Sequence, residues 1–176
     1  MVGLQESAHI RKMTVELSIP QHPELIAALG RLAVAHTHLE LALRYTVKTL
    51  TGLSVQKGLD VTHRESMSKV RKRIRRLFVE KKATQQEIAK LDALLNESWR
   101  LSDIRNDYLH SAWLVSEAGL PIIKLENHSW GPAPTAKQVE DAAKNIASLG
   151  AEINYERSDG FIISALKRSS ATSGAQ

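Results

Sequence analysis

The segment PELIAALGRLAVAHTHLELALRYTVKTLTG, residues 23–52, decides the architecture. Pro23 suits the first position of a helix, where its missing N–H would have had no partner, and Gly52 is a natural helix stop. Between them Leu25, Leu29, Leu32, His36, Leu39, Leu43, Thr46 and Leu50 recur at spacings of four and three, which lays an apolar seam along one side of a helix. At 1.5 Å per residue that helix is about 42 Å long. Its seam requires a partner helix along most of its length, so the expected fold is all-α.

Further helices follow from start signals and periodicity. Thr62-His63-Arg64-Glu65 has the pattern of a capping box, in which a Thr hydroxyl and a Glu carboxylate satisfy free N–H groups at a helix start. The helix expected after it buries Met67, Val70, Ile74, Leu77 and Phe78 and turns most of its basic residues outward. Thr84 to Glu87 repeats the box and opens a third helix through Ile88, Leu91, Leu94, Leu101, Ile104, Tyr108 and Leu109. Trp113-Leu114-Val115 and Ile122-Ile123-Lys124-Leu125 flank Ala118-Gly119-Leu120-Pro121 and predict a small β-hairpin. Trp130 to Pro134 is then expected to be a rigid loop. Thr135 to Gln138 is another capping box, opening a helix with Val139, Ala142, Ile146, Leu149 and Ile153 inside. The pattern leaves open whether it continues past Asp159-Gly160 into Phe161, Ile162 and Leu166. The expectation is an up-and-down helical bundle with a hairpin before the last major helix. Residues 23–168 form one domain, 1–22 a partly ordered extension and 169–176 a disordered tail.

Composition agrees with one globular unit: 176 residues, 43% hydrophobic, 24% charged and no Cys. Without cysteine there is no disulfide framework, Cys-ligated metal site or thiol nucleophile. No run approaches the ~20 apolar residues of a membrane-spanning helix, and the start, MVGLQESAHIRKMTVELSIP, lacks the order of a signal peptide. A cytoplasmic protein with no membrane partner is expected. The formal charge of +5 is local in origin. From Arg64 to Lys82 nine basic residues face two Glu, and the remaining chain is net acidic. Arg71, Lys72, Arg73, Arg75 and Arg76 are therefore the candidate polyanion-binding set, against the alternative of a solvated helix face.

The sequence contains no P-loop, dinucleotide turn, nucleophile elbow or HExxH. His36 and His38 point about 200° apart on a helix and cannot share one ion; His36 reads as a seam residue. Neither metal nor organic cofactor is expected. What remains is Arg105-Asn106-Asp107-Tyr108-Leu109-His110, late in the third helix. At about 100° per residue, Asp103, Asn106 and His110 fall within about 60° of one another, a polar patch on a helix otherwise turned to the core. Arg105 lies about 140° from His110. On a regular helix the two would not aim at one phosphate unless the long Arg side chain reaches around, the helix distorts, or a two-fold partner supplies the second group.

The Arg-polar-x3-His pattern, followed by Ser111-Ala112-Trp113, resembles the signature of HEPN domains, small helical proteins many of which are metal-independent ribonucleases. The Arg31 to His36 pair has the same spacing but lies in the apolar seam, with Leu32 after the Arg. The resemblance implies a homodimeric endoribonuclease that cuts at a composite site built by both subunits and acts in toxin or phage-defence systems, with an antitoxin or inhibitor protein as a further partner. His110 would move the proton, Arg105 stabilise the transition state, Asn106 position the phosphate and Asp103 set the imidazole tautomer. RNA is the expected substrate, because cleavage without a metal uses the 2′-OH as nucleophile. The rival readings are a non-catalytic HEPN-like module binding RNA, nucleotide or protein, and a structural dimer built on the Leu seam. Trp99 and Trp113 flank the motif; packing is the expected use of both, and base stacking the alternative. Glu40 and Tyr45, on the first helix, are candidates to approach the site.

Overall fold

The computed structural model describes residues 22–116, 120–124 and 129–173. Among these the chain is mostly helical, with a small antiparallel sheet inserted between the fourth and fifth helices. Helix α1 spans Pro23–Thr51, with Pro at its start and Gly52 closing it in the left-handed conformation at φ 69°. It is followed by α2 (Val55–Thr62), α3 (Met67–Glu80), α4 (Gln85–His110), strands β1 (Trp113–Val115), β2 (Pro121–Lys124) and β3 (Trp130–Pro132), then α5 (Ala136–Ser158) and α6 (Phe161–Ser173).

Helix α1 is the central element. It packs most extensively on α5, and also meets α2, α3 and α4. Leu25, Leu32, Leu39, Leu43 and Leu50 from its seam are buried together with Val139, Ile146, Leu149 and Ile153 of α5. Val70, Ile74 and Phe78 bring α3 into the same core, and the Phe78 ring meets Phe161 of α6 edge-on at 5.9 Å between centroids. Both the Thr84–Glu87 and the Thr135–Gln138 capping boxes form with both arms in place.

Three local expectations are corrected. Thr62 does not cap α3: it ends α2, fully buried, and its hydroxyl donates to Gly58 O at 3.0 Å. Ser66 caps α3 instead, accepting from the Lys69 N–H, and the Glu65 carboxylate pairs with Arg73. The intervening α2 has few large apolar residues. It fits because Gly58 lies against Lys48, where a Cβ would stand 2.5 Å from the Lys48 Cβ. Trp130–Pro132 is the third strand of the sheet, in the order β1-β2-β3, rather than a loop, pairing Ile123 with Gly131 and Lys124 with Trp130. Residues 169–173 continue α6 rather than forming a disordered tail. The N-terminal extension up to residue 21, Ala118 and Gly119 of the expected hairpin turn, Leu125 and residues 174–176 lie outside the described residues.

No helix among the described residues is long and apolar enough to cross a membrane.

Candidate functional site

Three helices carry a polar residue at a position their apolar stripe reserves for the core, and the fold brings those positions together. On α1 the stripe Leu32, His36, Leu39 is broken by a histidine that is nonetheless buried. On α3 the spacing Met67, Arg71, Ile74, Phe78 gives a guanidinium the inward place. On α4 the row Leu91, Leu95, Ser98, Ser102, Arg105 turns polar over its second half. Positions three and four apart share one helix face, so each interruption faces the centre of the bundle, where the others satisfy it.

Arg71 is the tie between α3 and α4. Its Nε donates to Ser98 Oγ at 2.9 Å, and its Nη2 to Ser98 O at 3.0 Å and Ser102 Oγ at 2.7 Å. Burial pulls its pKa below the usual arginine value, opposed by Asp103 and Glu40, and the group stays charged. The Ser102 hydroxyl donates to Ser98 O at 2.7 Å, so toward His36 it is an acceptor, and His36 Nε2, 3.3 Å away, carries the hydrogen. His36 Nδ1 faces Glu40 Oε1 at 3.6 Å. Carboxylate, imidazole and hydroxyl thus stand in the order of a hydrolase triad, but the hydroxyl proton is already committed to a backbone carbonyl and Ser102 is no nucleophile. Burial holds the His36 pKa below the ordinary histidine value; Glu40 works against it, while Arg105, Arg71 and His110 reinforce it.

Above this layer opens a cleft of about 320 Å³ lined by α1, the first turns of α3 and the second half of α4. Arg105 forms part of its wall and is the link to His110. α4 remains helical through His110. The Arg105 side chain reaches around it, placing Nη1 2.7 Å from His110 Nε2 and 3.0 Å from Asn106 Oδ1. Neither a distorted helix nor a second subunit is needed to bring the pair together. Because arginine only donates, His110 Nε2 is the acceptor and the ring proton resides on Nδ1. Arg105 Nε is buried without a hydrogen-bond partner, while Asn106 and His110 are exposed. Ser111 leaves the helix in extended geometry, and the Trp113 indole N–H donates to Tyr108 O at 3.2 Å, fastening the sheet beside the motif.

The remaining candidates divide. Asp103 accepts from the Trp99 indole N–H rather than orienting His110. Of the basic set, Arg71 turns into the cleft. Arg73 pairs with Glu65, Arg75 with Asp92 at 2.9 Å and Arg76 with Glu80 at 3.6 Å. Lys72, Arg75 and Arg76 are exposed. Pairs of this kind on the surface are weak, so Lys72, Arg75 and Arg76 keep a cationic face toward solvent. Trp113 serves packing, as expected, whereas Trp99 is 55% exposed at the cleft. Glu40 lines the cleft. Tyr45 instead stacks under Arg157, 5.7 Å from ring centroid to guanidinium carbon. His36, read from the sequence as a seam residue, is both that and part of the cleft lining. Among the described residues no three His, Asp or Glu side chains converge as a metal site.

No protein-family model, no curated protein and no solved structure matches the chain.

Proposed function

We propose that this chain is a HEPN-like, metal-independent endoribonuclease whose reacting groups are Arg105, Asn106 and His110. The observation that carries the reading is the 2.7 Å contact between Arg105 Nη1 and His110 Nε2 at the edge of a polar cleft, with Asn106 on the same guanidinium. It supplies, from one chain, an imidazole for proton transfer and a planar donor matched to phosphate oxygens.

In this reading a phosphate oxygen of bound RNA replaces the imidazole as the acceptor of Arg105, and His110 Nε2 is released as a base. It takes the 2′-OH proton as that oxygen attacks phosphorus. The P–O5′ bond breaks, and the departing 5′-oxygen takes a proton from the protonated His110 of the partner subunit in the homodimer, leaving as a 5′-OH opposite a 2′,3′-cyclic phosphate. Arg105 and Asn106 hold the equatorial oxygens of the pentacoordinate transition state. The exposed cations of α3, Lys72, Arg75 and Arg76, meet the backbone further along the strand. A homodimer, a neutralising partner protein and a role in toxicity or defence belong to the HEPN resemblance and extend the proposal in the same terms.

The test is incubation of the chain and of His110→Ala with mixed RNA in excess EDTA, followed by analysis of the ends. Cleavage giving cyclic phosphate ends is expected from the wild type, reduced by about 10²–10⁴-fold in the variant, with DNA of the same sequence intact. Equal fragments from both proteins, or no cleavage at any protein concentration, overturn the reading and leave a non-catalytic nucleotide- or RNA-binding module.

A further inference from the structure

We propose that the cleft beside Arg105 is a subsite for a single base, and that it selects guanine through Glu40. The proposal rests on the ribonuclease reading for its substrate class and adds the base preference of the cut. Arg105 belongs both to the cleft wall and to the His110 contact, so a nucleotide whose phosphate lies on Arg105 has the cleft within reach of its base. The volume of about 320 Å³ lies at the small end of the ~300–1,000 Å³ typical of ligand sites, which suits one base better than two.

The walls offer what a base requires. The Trp99 indole is 55% exposed, yet its N–H is held by the Asp103 carboxylate. A ring that is more than half exposed and tethered at its edge offers a platform, and stacking of a base on an aromatic face contributes about 1–3 kcal/mol. Half-buried Met67, at the start of α3, lines the same cleft with polarisable apolar surface. Arg71 and Arg105 offset the negative charge of the two carboxylates, so a nucleotide is not repelled.

Selectivity comes from the acceptors. Asp103 is engaged by Trp99. Glu40 has its side chain 36% exposed and only a 3.6 Å contact to His36 on one oxygen, so it has acceptor capacity to spare. A carboxylate presents two parallel acceptors. Guanine alone among the four bases carries two adjacent donors on its pairing edge, N1–H and the exocyclic amine, and binds such a group in a bidentate, charge-assisted manner. Adenine and cytosine set a lone pair beside their one amine, and uracil flanks its N3–H with two carbonyl oxygens; each then faces the carboxylate with at least one repulsive contact.

Binding of the four nucleoside 5′-monophosphates to the intact chain, read by quenching of tryptophan fluorescence, tests this without depending on cleavage. The guanosine nucleotide is expected to bind at least tenfold tighter than the other three. Trp99→Phe should remove most of the quenching, and Glu40→Gln should erase the preference. Glu40→Asp keeps the charge but draws it back by one methylene, and should weaken the preference without abolishing it. Equal affinities for all four, or a guanine preference unchanged in Glu40→Gln, overturn the proposal. Sequencing the ends produced by the wild type gives the independent check, with guanine enriched at one fixed side of the cut. His110-dependent cleavage without base preference removes the subsite and keeps the ribonuclease. Guanine-selective binding lost in Glu40→Gln, in a chain that never cleaves RNA, does the reverse.

Discussion

Helix α1 faces two different neighbourhoods. Toward α5 it forms a dry seam, in which every α5 side chain that is buried is Val, Ala, Ile or Leu. Toward α3 and α4 the buried polar residues His36, Ser98 and Ser102 stand among the apolar Val70, Ile74, Phe78, Leu91, Leu95 and Leu101, with half-buried Arg71 and Arg105 beside them. The same four-three spacing runs through both faces. Periodicity therefore tells which side of α1 is inside, and the chemistry of the opposing helix decides whether a polar residue on that side is a liability or part of a site.

The seam should be the costlier place to disturb. Ile146 is fully buried on α5, so Ile146→Ala removes buried methyl groups and leaves a void, with an expected loss of about 2–5 kcal/mol in denaturant unfolding. A loss below about 1 kcal/mol would mean that α1 and α5 are not packed as a dry seam.

What the sequence reveals of the two faces differs in kind. The seam is legible because its signal is local and repeated: Pro23, Gly52 and the capping boxes at Thr84 and Thr135 mark the ends, and the leucines mark the side. The same capping letters at Thr62 mislead. That hydroxyl is buried against Gly58 O, and Arg44 donates to the Thr62 and Glu65 carbonyls, so tertiary packing outweighs the local pattern. At the cleft, Arg105, Asn106 and His110 are recognisable by spacing, but their convergence depends on the reach of one side chain around a regular helix. The inward turn of Arg71 leaves a trace, its place in the stripe with Ile74 and Phe78. A basic run draws attention to its outer face instead. Only the coincidence of that interruption with those at His36 and Ser102, from helices distant in sequence, gives it meaning.

Removing the tie sharpens the contrast at an intermediate cost. Arg71→Met keeps the stem and deletes three hydrogen bonds to Ser98 and Ser102, and an expected loss of about 1–3 kcal/mol follows. Lys72→Met, on the exposed neighbouring position, should stay within about 0.5 kcal/mol. Comparable thermal shifts for the two would return Arg71 to the outer cationic face.

The smallest expected effect appears only as pH changes. Burial lowers the His36 pKa from its ordinary 6.5, against the pull of Glu40 and with the help of Arg105, Arg71 and His110. The unfolded chain then binds the His36 proton more readily than the folded one, so stability rises with pH between the folded and unfolded values. The contribution is fully present above about pH 6.5 and is lost as pH falls through that window. One proton taken up by the unfolded state alone corresponds to at most about 1.4 kcal/mol per pH unit. His36→Gln retains an N–H for Ser102 Oγ and cannot titrate, so its unfolding free energy should decline less steeply below pH 6.5 than that of the wild type. Parallel curves for the two proteins would show that His36 is not the buried neutral imidazole on which the polar face of α1 is built.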